Sequence, residues 1–139
     1  MKTIILKNSE WLRGKPDSYL YDSGRADESK PCMCCLGVLS YSEGFKLDEL
    51  SNRRSPVSLI SQWFRDHKRM PRSKKFSALS FLLQNDSTVD SNYCFEDTKD
   101  AEVMMNINDD LKSRDTTKVR RLNKIMNKYG YNFVFLKDK

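Results

Sequence analysis

The sequence predicts an α+β fold in which a small sheet pairs an N-terminal with a C-terminal strand and several short helices pack against it. Three observations predict it. Thr3 to Lys7 is a short stretch rich in β-branched residues, the composition of a buried strand. At the far end Tyr131, Phe133 and Phe135 alternate with Asn132, Val134 and Leu136, the period of two that marks a strand. Between them helical spacing recurs in separate short segments. A lone strand leaves its backbone groups unpaired, so the two ends are expected to meet, with Ile4 to Leu6 beside the terminal strand.

Composition sets the scale. The chain of 139 residues suits one domain spanning 1–139, and 38% hydrophobic against 32% charged residues implies a small core beneath a wide polar surface. No apolar run approaches membrane-spanning length, and Ile4-Ile5-Leu6 is too short for the core of a signal peptide. An intracellular, cytoplasmic protein without membrane contact is expected, its four cysteines free thiols. The formal charge of +6 favours anionic partners.

In chain order, Asn8 or Ser9 starts a turn before Glu10-Trp11-Leu12-Arg13, stopped by Gly14 and Pro16. Lys15 to Lys30 reads as a loop pinned by Tyr19, Leu20 and Tyr21. Cys32-Met33-Cys34-Cys35-Leu36-Gly37-Val38-Leu39 is apolar in a polar chain and holds three of the four cysteines. Cys35, Leu36 and Leu39 share a helical stripe, which predicts a core helix from about Met33 to Ser42. Gly37 would admit a close neighbour, and Gly44 would end the helix in the left-handed conformation. Lys46 to Pro56 reads as a polar connection. Ser55 caps and Pro56 opens a helix whose apolar face carries Leu59, Ile60, Trp63 and Phe64. That stripe serves either as core or as a subunit contact, with Trp63 placed for both roles.

Arg65 to Lys75 is the most basic local run, and Phe76, Leu79, Leu82 and Leu83 then predict a short helix ending near Asn85. Asn85 to Asp97 reads as a loop with Tyr93, Cys94 and Phe95 turned inward. Thr98 caps a helix through Met105, followed by a turn over Asn106-Ile107-Asn108-Asp109-Asp110. Asp115, Thr116 or Thr117 caps the last helix, whose buried face carries Val119, Leu122 and Ile125 or Met126 before Gly130 stops it. Lys118, Arg120, Arg121, Lys124 and Lys128 are expected around its other side.

No residue set specifies a reaction. Zinc would need Cys32, Cys34, Cys94 and His67, yet Cys-x-Cys-Cys is not the paired knuckle spacing, so no metal is expected. Asp109 and Asp110 gather oxygen ligands without the glycine and glutamate of a calcium loop, too few for a metal-dependent hydrolase. A non-enzymatic protein without cofactor is the expectation.

Several motifs occur together in a fixed order: Trp11-Leu12-Arg13-Gly14 after a short strand, Met33-Cys34-Cys35-Leu36-Gly37, Ser55-Pro56, Met104-Met105-Asn106-Ile107-Asn108-Asp109-Asp110, and a basic helix before Phe133-Val134-Phe135. This order resembles a group of small bacteriophage proteins with a W-L-R-G start, a C-C-L-G centre and an I-N-D-D segment. The chain departs from their pattern at Ser40-Tyr41-Ser42-Glu43-Gly44, where theirs is more apolar. The resemblance implies phage origin, an accessory role and the host bacterial cytoplasm. The resulting expectation is a binder that counters host defence or redirects the host, by docking on a host protein or sequestering an anionic, nucleotide-like signal. Arg13, Gly14, Asn108 and Asp109 would line a pocket beside the cysteine helix, with Arg13 on a phosphate and Asn108 and Asp109 accepting from ribose or base. The alternative is nucleic-acid binding through Arg65, Lys68, Arg69, Arg72, Lys74 and Lys75 with Arg120, Arg121 and Lys124 of the last helix.

Overall fold

Alternating side chains at both chain ends lock the termini together. In the computed structural model β1 (Lys2–Lys7) and β4 (Tyr131–Leu136) run parallel, from Lys2 opposite Tyr131 to Lys7 opposite Leu136. The structure describes residues 1–14, 18–22, 32–67, 73–85 and 95–137. Ile4, Leu6, Tyr131 and Phe133 point into the core, while Ile5, Val134 and Leu136 remain on the outer face. The architecture is α+β: this sheet is packed by short helices.

α1 (Cys35–Ser42) lies against β1 and buries Cys35, Leu36 and Leu39, the stripe expected from their spacing. Gly37 is where Leu20 crosses the helix: a Cβ built there would stand 1.8 Å from the Leu20 carbonyl oxygen. Only a residue without a side chain admits that crossing. Gly44 follows with φ +109°, the left-handed stop its position suggested. The connection after it is less irregular than its polarity implied, because Leu47–Leu50 forms a short helix, α2, that buries Leu50. α3 (Val57–His67) begins where Ser55 Oγ accepts from the Val57 amide at 3.0 Å, and it buries Leu59, Ile60 and Phe64. Trp63 is half-buried, packed on Phe76 and stacked on His67 at 3.8 Å between ring centroids.

Two expectations fail over the next stretch. α4 (Lys74–Ala78) and a single 3₁₀ turn (Ser80–Leu82) occupy part of the expected helix, but Leu83–Asn85 leaves it as strand β2. Phe95–Asp97, expected in a loop, is strand β3 and pairs antiparallel with β2, Leu83 opposite Asp97. Neither three-residue strand is long enough to display a period of two.

α5 (Lys99–Asp109) starts at the Thr98 cap, whose Oγ1 accepts from the Ala101 amide at 3.2 Å. It continues through the segment expected to be a turn. Asn106 to Asp109 prefers turns when isolated, and tertiary partners override that preference here. α6 (Asp115–Met126) carries Leu122, Ile125 and Met126 into the core, and Gly130 with φ +85° reverses the chain into β4. Lys118, expected among the solvent-facing cations, is instead 2% exposed. No helix among the described residues is long and apolar enough to cross a membrane.

Replacing Gly37 with Ala drives a methyl group into the Leu20 backbone, so the crossing must open. The expected loss is about 3 kcal/mol, the upper range for overpacking, read as a lower urea midpoint at unchanged slope. An unchanged midpoint would contradict the close crossing.

Candidate functional site

The last turn of α5 directs one polar side chain inward. Asn108 is 1% exposed, and its amide oxygen accepts from Trp11 Nε1 at 2.7 Å and from the Cys35 backbone amide at 3.0 Å. Its amide nitrogen donates to the Leu12 carbonyl and to Asp109 Oδ1, both at 3.0 Å. The backbone carbonyl of the same residue, in a helical turn whose carbonyls lack intrahelical partners, accepts from the Gly14 amide at 2.9 Å and from Lys118 Nζ at 3.3 Å. Gly14 meets it in the left-handed region at φ +72°. Asn108 thus caps the first amide of α1, anchors the Trp11 indole and closes its own helix. The W-L-R-G, C-C-L-G and I-N-D-D stretches converge on this residue.

Arg13 stands to one side of the junction and is fully engaged. Nε and Nη2 grip the two carboxylate oxygens of Asp115 at 3.0 Å each, Nη1 donates to the Asn8 and Trp11 carbonyls, and Nη2 reaches Asn8 Oδ1. These bonds take all the N–H donors a guanidinium has. The same group lies over the Trp11 ring at 4.8 Å and the Phe135 ring at 5.7 Å. The Arg13 guanidinium beside Asp115 holds that carboxyl below its ordinary range. A phosphate at Arg13 would have to displace these partners.

Beside the Asn108 junction, between the start of α1 and the outer side of α5, lies a cleft of about 380 Å³. Cys34, Cys35, Met105, Asn108 and Asp109 line it, and Arg54, Glu102, Asn106 and Ser18 complete its wall. Its size falls within the range of small-molecule sites. Arg54 also lies 5.9 Å from the Tyr19 ring. Burial pushes the Cys34 thiol up to about 12, against the lowering effect of the Gly37 and Leu36 amides. Burial, with Cys34 and Asp109 adding to it, also raises Cys35 well above its ordinary value. Both thiols are neutral at physiological pH, and a neutral thiol is a poor nucleophile.

The expected pocket beside the cysteine helix is present, with a different membership. Asn108 and Asp109 line it; Arg13 and Gly14 do not. Its guanidinium comes from Arg54, which nothing in the polar run Asn52-Arg53-Arg54-Ser55 marks out. Glu102 and Asn106 join Asp109 because the helix continues past Met105, placing positions three and four apart on one face.

For the nucleic-acid alternative, Arg65, Lys74, Arg120, Arg121 and Lys124 are exposed, whereas Lys75 bonds Glu49 at 3.2 Å. Lys68, Arg69 and Arg72 lie outside the described residues, as does Cys94 of the zinc alternative. His67 Nδ1 sits 3.0 Å from the Trp63 carbonyl, and Cys34 lines the cleft. Among the described residues no three His, Cys, Asp or Glu side chains group as metal ligands.

No protein-family model, curated protein or solved structure matches the chain.

Asn108→Leu keeps the volume and removes the amide, stranding the Trp11 indole N–H, the Cys35 amide and the Leu12 carbonyl. Buried unpaired groups of this kind cost about 1–3 kcal/mol each. The expected urea midpoint corresponds to a loss of about 3 kcal/mol or more; a neutral substitution would contradict the junction.

Asp115 supplies a pH signature. Its depressed folded-state value means that its stabilisation is present above the ordinary carboxylate range and is lost as pH falls through the folded value. Asp115→Asn is therefore expected to lower the urea midpoint at neutral pH and to approach wild type under acid conditions. A constant gap at all pH values would contradict an Arg13–Asp115 ion pair.

Proposed function

We propose that the chain is an accessory binding protein of the phage type its motifs resemble. In this reading it counters host defence or redirects the host by sequestering a small, nucleotide-like molecule in the cleft between α1 and α5. The observation that carries the reading is the mixed lining of that space: a guanidinium from Arg54, carboxylates from Glu102 and Asp109, an amide from Asn106 and the apolar side of Met105.

Each part has a matching chemistry. A guanidinium can hold a phosphate through paired N–H donors. The carboxylates accept hydrogen bonds from ribose hydroxyls or from exocyclic amines, and Met105 offers a polarizable surface to a base. Both thiols at the cleft are neutral, which favours holding a ligand over attacking it. Asn108, held from several sides, keeps the floor rigid, so less ordering is required when a ligand enters.

The second reading, nucleic-acid binding, draws on the exposed Arg120, Arg121 and Lys124 of α6 and the +6 charge. The two differ in their response to salt, since contacts to a polyanion release counterions and a pocket ligand depends far less on ionic strength.

Isothermal titration of the full chain with a panel of ribonucleoside mono-, di- and cyclic phosphates tests the reading, alongside Arg54→Ala and Asp109→Ala. At least one nucleotide is expected to bind, with affinity falling on the order of tenfold in each variant, the scale of one charge-assisted hydrogen bond. Arg54→Ala should keep the wild-type melting profile, whereas Asp109→Ala also removes an acceptor of the Asn108 amide and should melt somewhat earlier. No binding across the panel, or binding indifferent to both substitutions, would overturn the cleft as the site. Duplex DNA binding that falls steeply with salt and is unaffected by Arg54→Ala would favour the second reading.

A further inference from the structure

The cleft between α1 and α5 has a long axis, and its charges are set unequally along it. Glu102, Met105, Asn106 and Asp109 follow one another at steps of three and four residues, so they form a single stripe along α5. The two carboxylates at its ends are nearly two turns apart, about 10 Å along the helix axis. With Met105 and Asn106 between them, that is the length of one nucleoside and too short for two.

The two ends differ. Asp109 closes the helix, where the last turn carries partial negative charge, and its Oδ1 already accepts from the Asn108 amide at 3.0 Å. Negative charge on a ligand is disfavoured there, and N–H donors are favoured. Arg54 belongs to the other end. Its neighbour Ser55 donates to Asp97 Oδ1 at 2.7 Å, and Asp97 immediately precedes the Thr98 cap that starts α5. Glu102 lies at that same start. Asp97 is held above its ordinary value by burial and by the charge of Glu102, against the Ser55 bond, so the two carboxylates share one neighbourhood. Arg53, next in the chain, is turned elsewhere, to the Glu49 and Ser58 carbonyls. The chain as a whole carries +6, but the cleft does not share that excess. Among the described residues its charged lining is one guanidinium and two carboxylates.

We propose that the cleft selects a mononucleotide whose phosphate is a cyclic diester, with a single negative charge, over nucleotides that end in a free mono-, di- or triphosphate. The inference rests on the nucleotide reading of the cleft and narrows it. Arg54 balances one charge. A cyclic diester carries one, whereas a terminal phosphate carries about two at neutral pH and each further phosphate adds to it. The surplus would meet Glu102 at the same end of the cleft, and like charges brought together are costly. A cyclic ribonucleotide keeps what the remaining residues can use. Its base lies against Met105 and the neutral thiols of Cys34 and Cys35, its N–H groups reach Asp109, and its free ribose hydroxyl can donate to Glu102.

The test is isothermal titration of the full chain at low ionic strength with adenosine and guanosine, each as the 3′,5′-cyclic monophosphate, the 5′-monophosphate and the 5′-diphosphate, repeated with Glu102→Gln. For at least one base the expected order is cyclic, then monophosphate, then diphosphate, in steps on the order of tenfold, the scale of one like-charge contact near a protein surface. Glu102 is exposed and glutamine keeps an oxygen acceptor in its place, so this variant changes the charge alone. It is expected to narrow the gap between the cyclic nucleotide and the 5′-monophosphate by about tenfold. A diphosphate that binds as tightly as the cyclic nucleotide of the same base, or a gap unmoved by Glu102→Gln, would overturn the selection by charge while leaving nucleotide binding in place. Binding by no member of the series would overturn the nucleotide reading itself, and this inference with it.

Discussion

The amide of Asn108 joins three stretches that are far apart in the chain, and the positions of the neighbouring elements follow from that junction. One oxygen holds the Trp11 indole and the first amide of α1, one nitrogen holds the Leu12 carbonyl, and the backbone carbonyl collects Gly14 and Lys118. The chain leaving β1 is thereby tied to the start of the cysteine helix and to the end of α5. A leucine would fit the space but not the bonding, because buried groups on three separate segments need a donor and an acceptor within one flat group. The paired Arg13 and Asp115 repeat the arrangement nearer the surface, fixing the start of α6 to the same segment.

This junction also gives the cleft its character. Its floor carries neutral thiols and a saturated amide, while its rim carries the charged groups Arg54, Glu102 and Asp109. Charge at the rim can meet a ligand without first being stripped of water, whereas the floor contributes shape. A parallel sheet of two strands has two edges, and on the β4 side the Asn123 amide bonds the Phe133 backbone.

Much of the fold was legible because it rests on patterns that sequence displays directly. β-Branched composition at the N-terminal end and alternation at the C-terminal end predicted the β1–β4 pair, Ser55 and Thr98 marked two helix starts, and Gly37, Gly44 and Gly130 stood where the backbone needed them. The β2–β3 pair was missed because strands so short show no period. The end of α5 was misjudged because Asn106 to Asp109 favours a turn until Trp11, Leu12 and Cys35 bond to Asn108 in preference. Lys118 was placed outside by its charge, yet the end of α5 supplies a carbonyl, and Asp110 beyond it and Asp115 at the start of α6 supply negative charge. The site was legible in part. The I-N-D-D and C-C-L-G stretches both border the cleft, but Arg13 is held by Asp115, and Arg54 lies in a run whose local pattern says nothing of the cleft it reaches.

Hydrogen exchange followed by NMR measures the junction itself. The Trp11 indole N–H and the Cys35 amide both donate to Asn108 Oδ1, so both should exchange only through global unfolding, with protection matching the free energy of unfolding from urea titration. Exchange of either proton through a local opening, with protection well below that limit, would contradict the account in which one buried amide holds the three segments together.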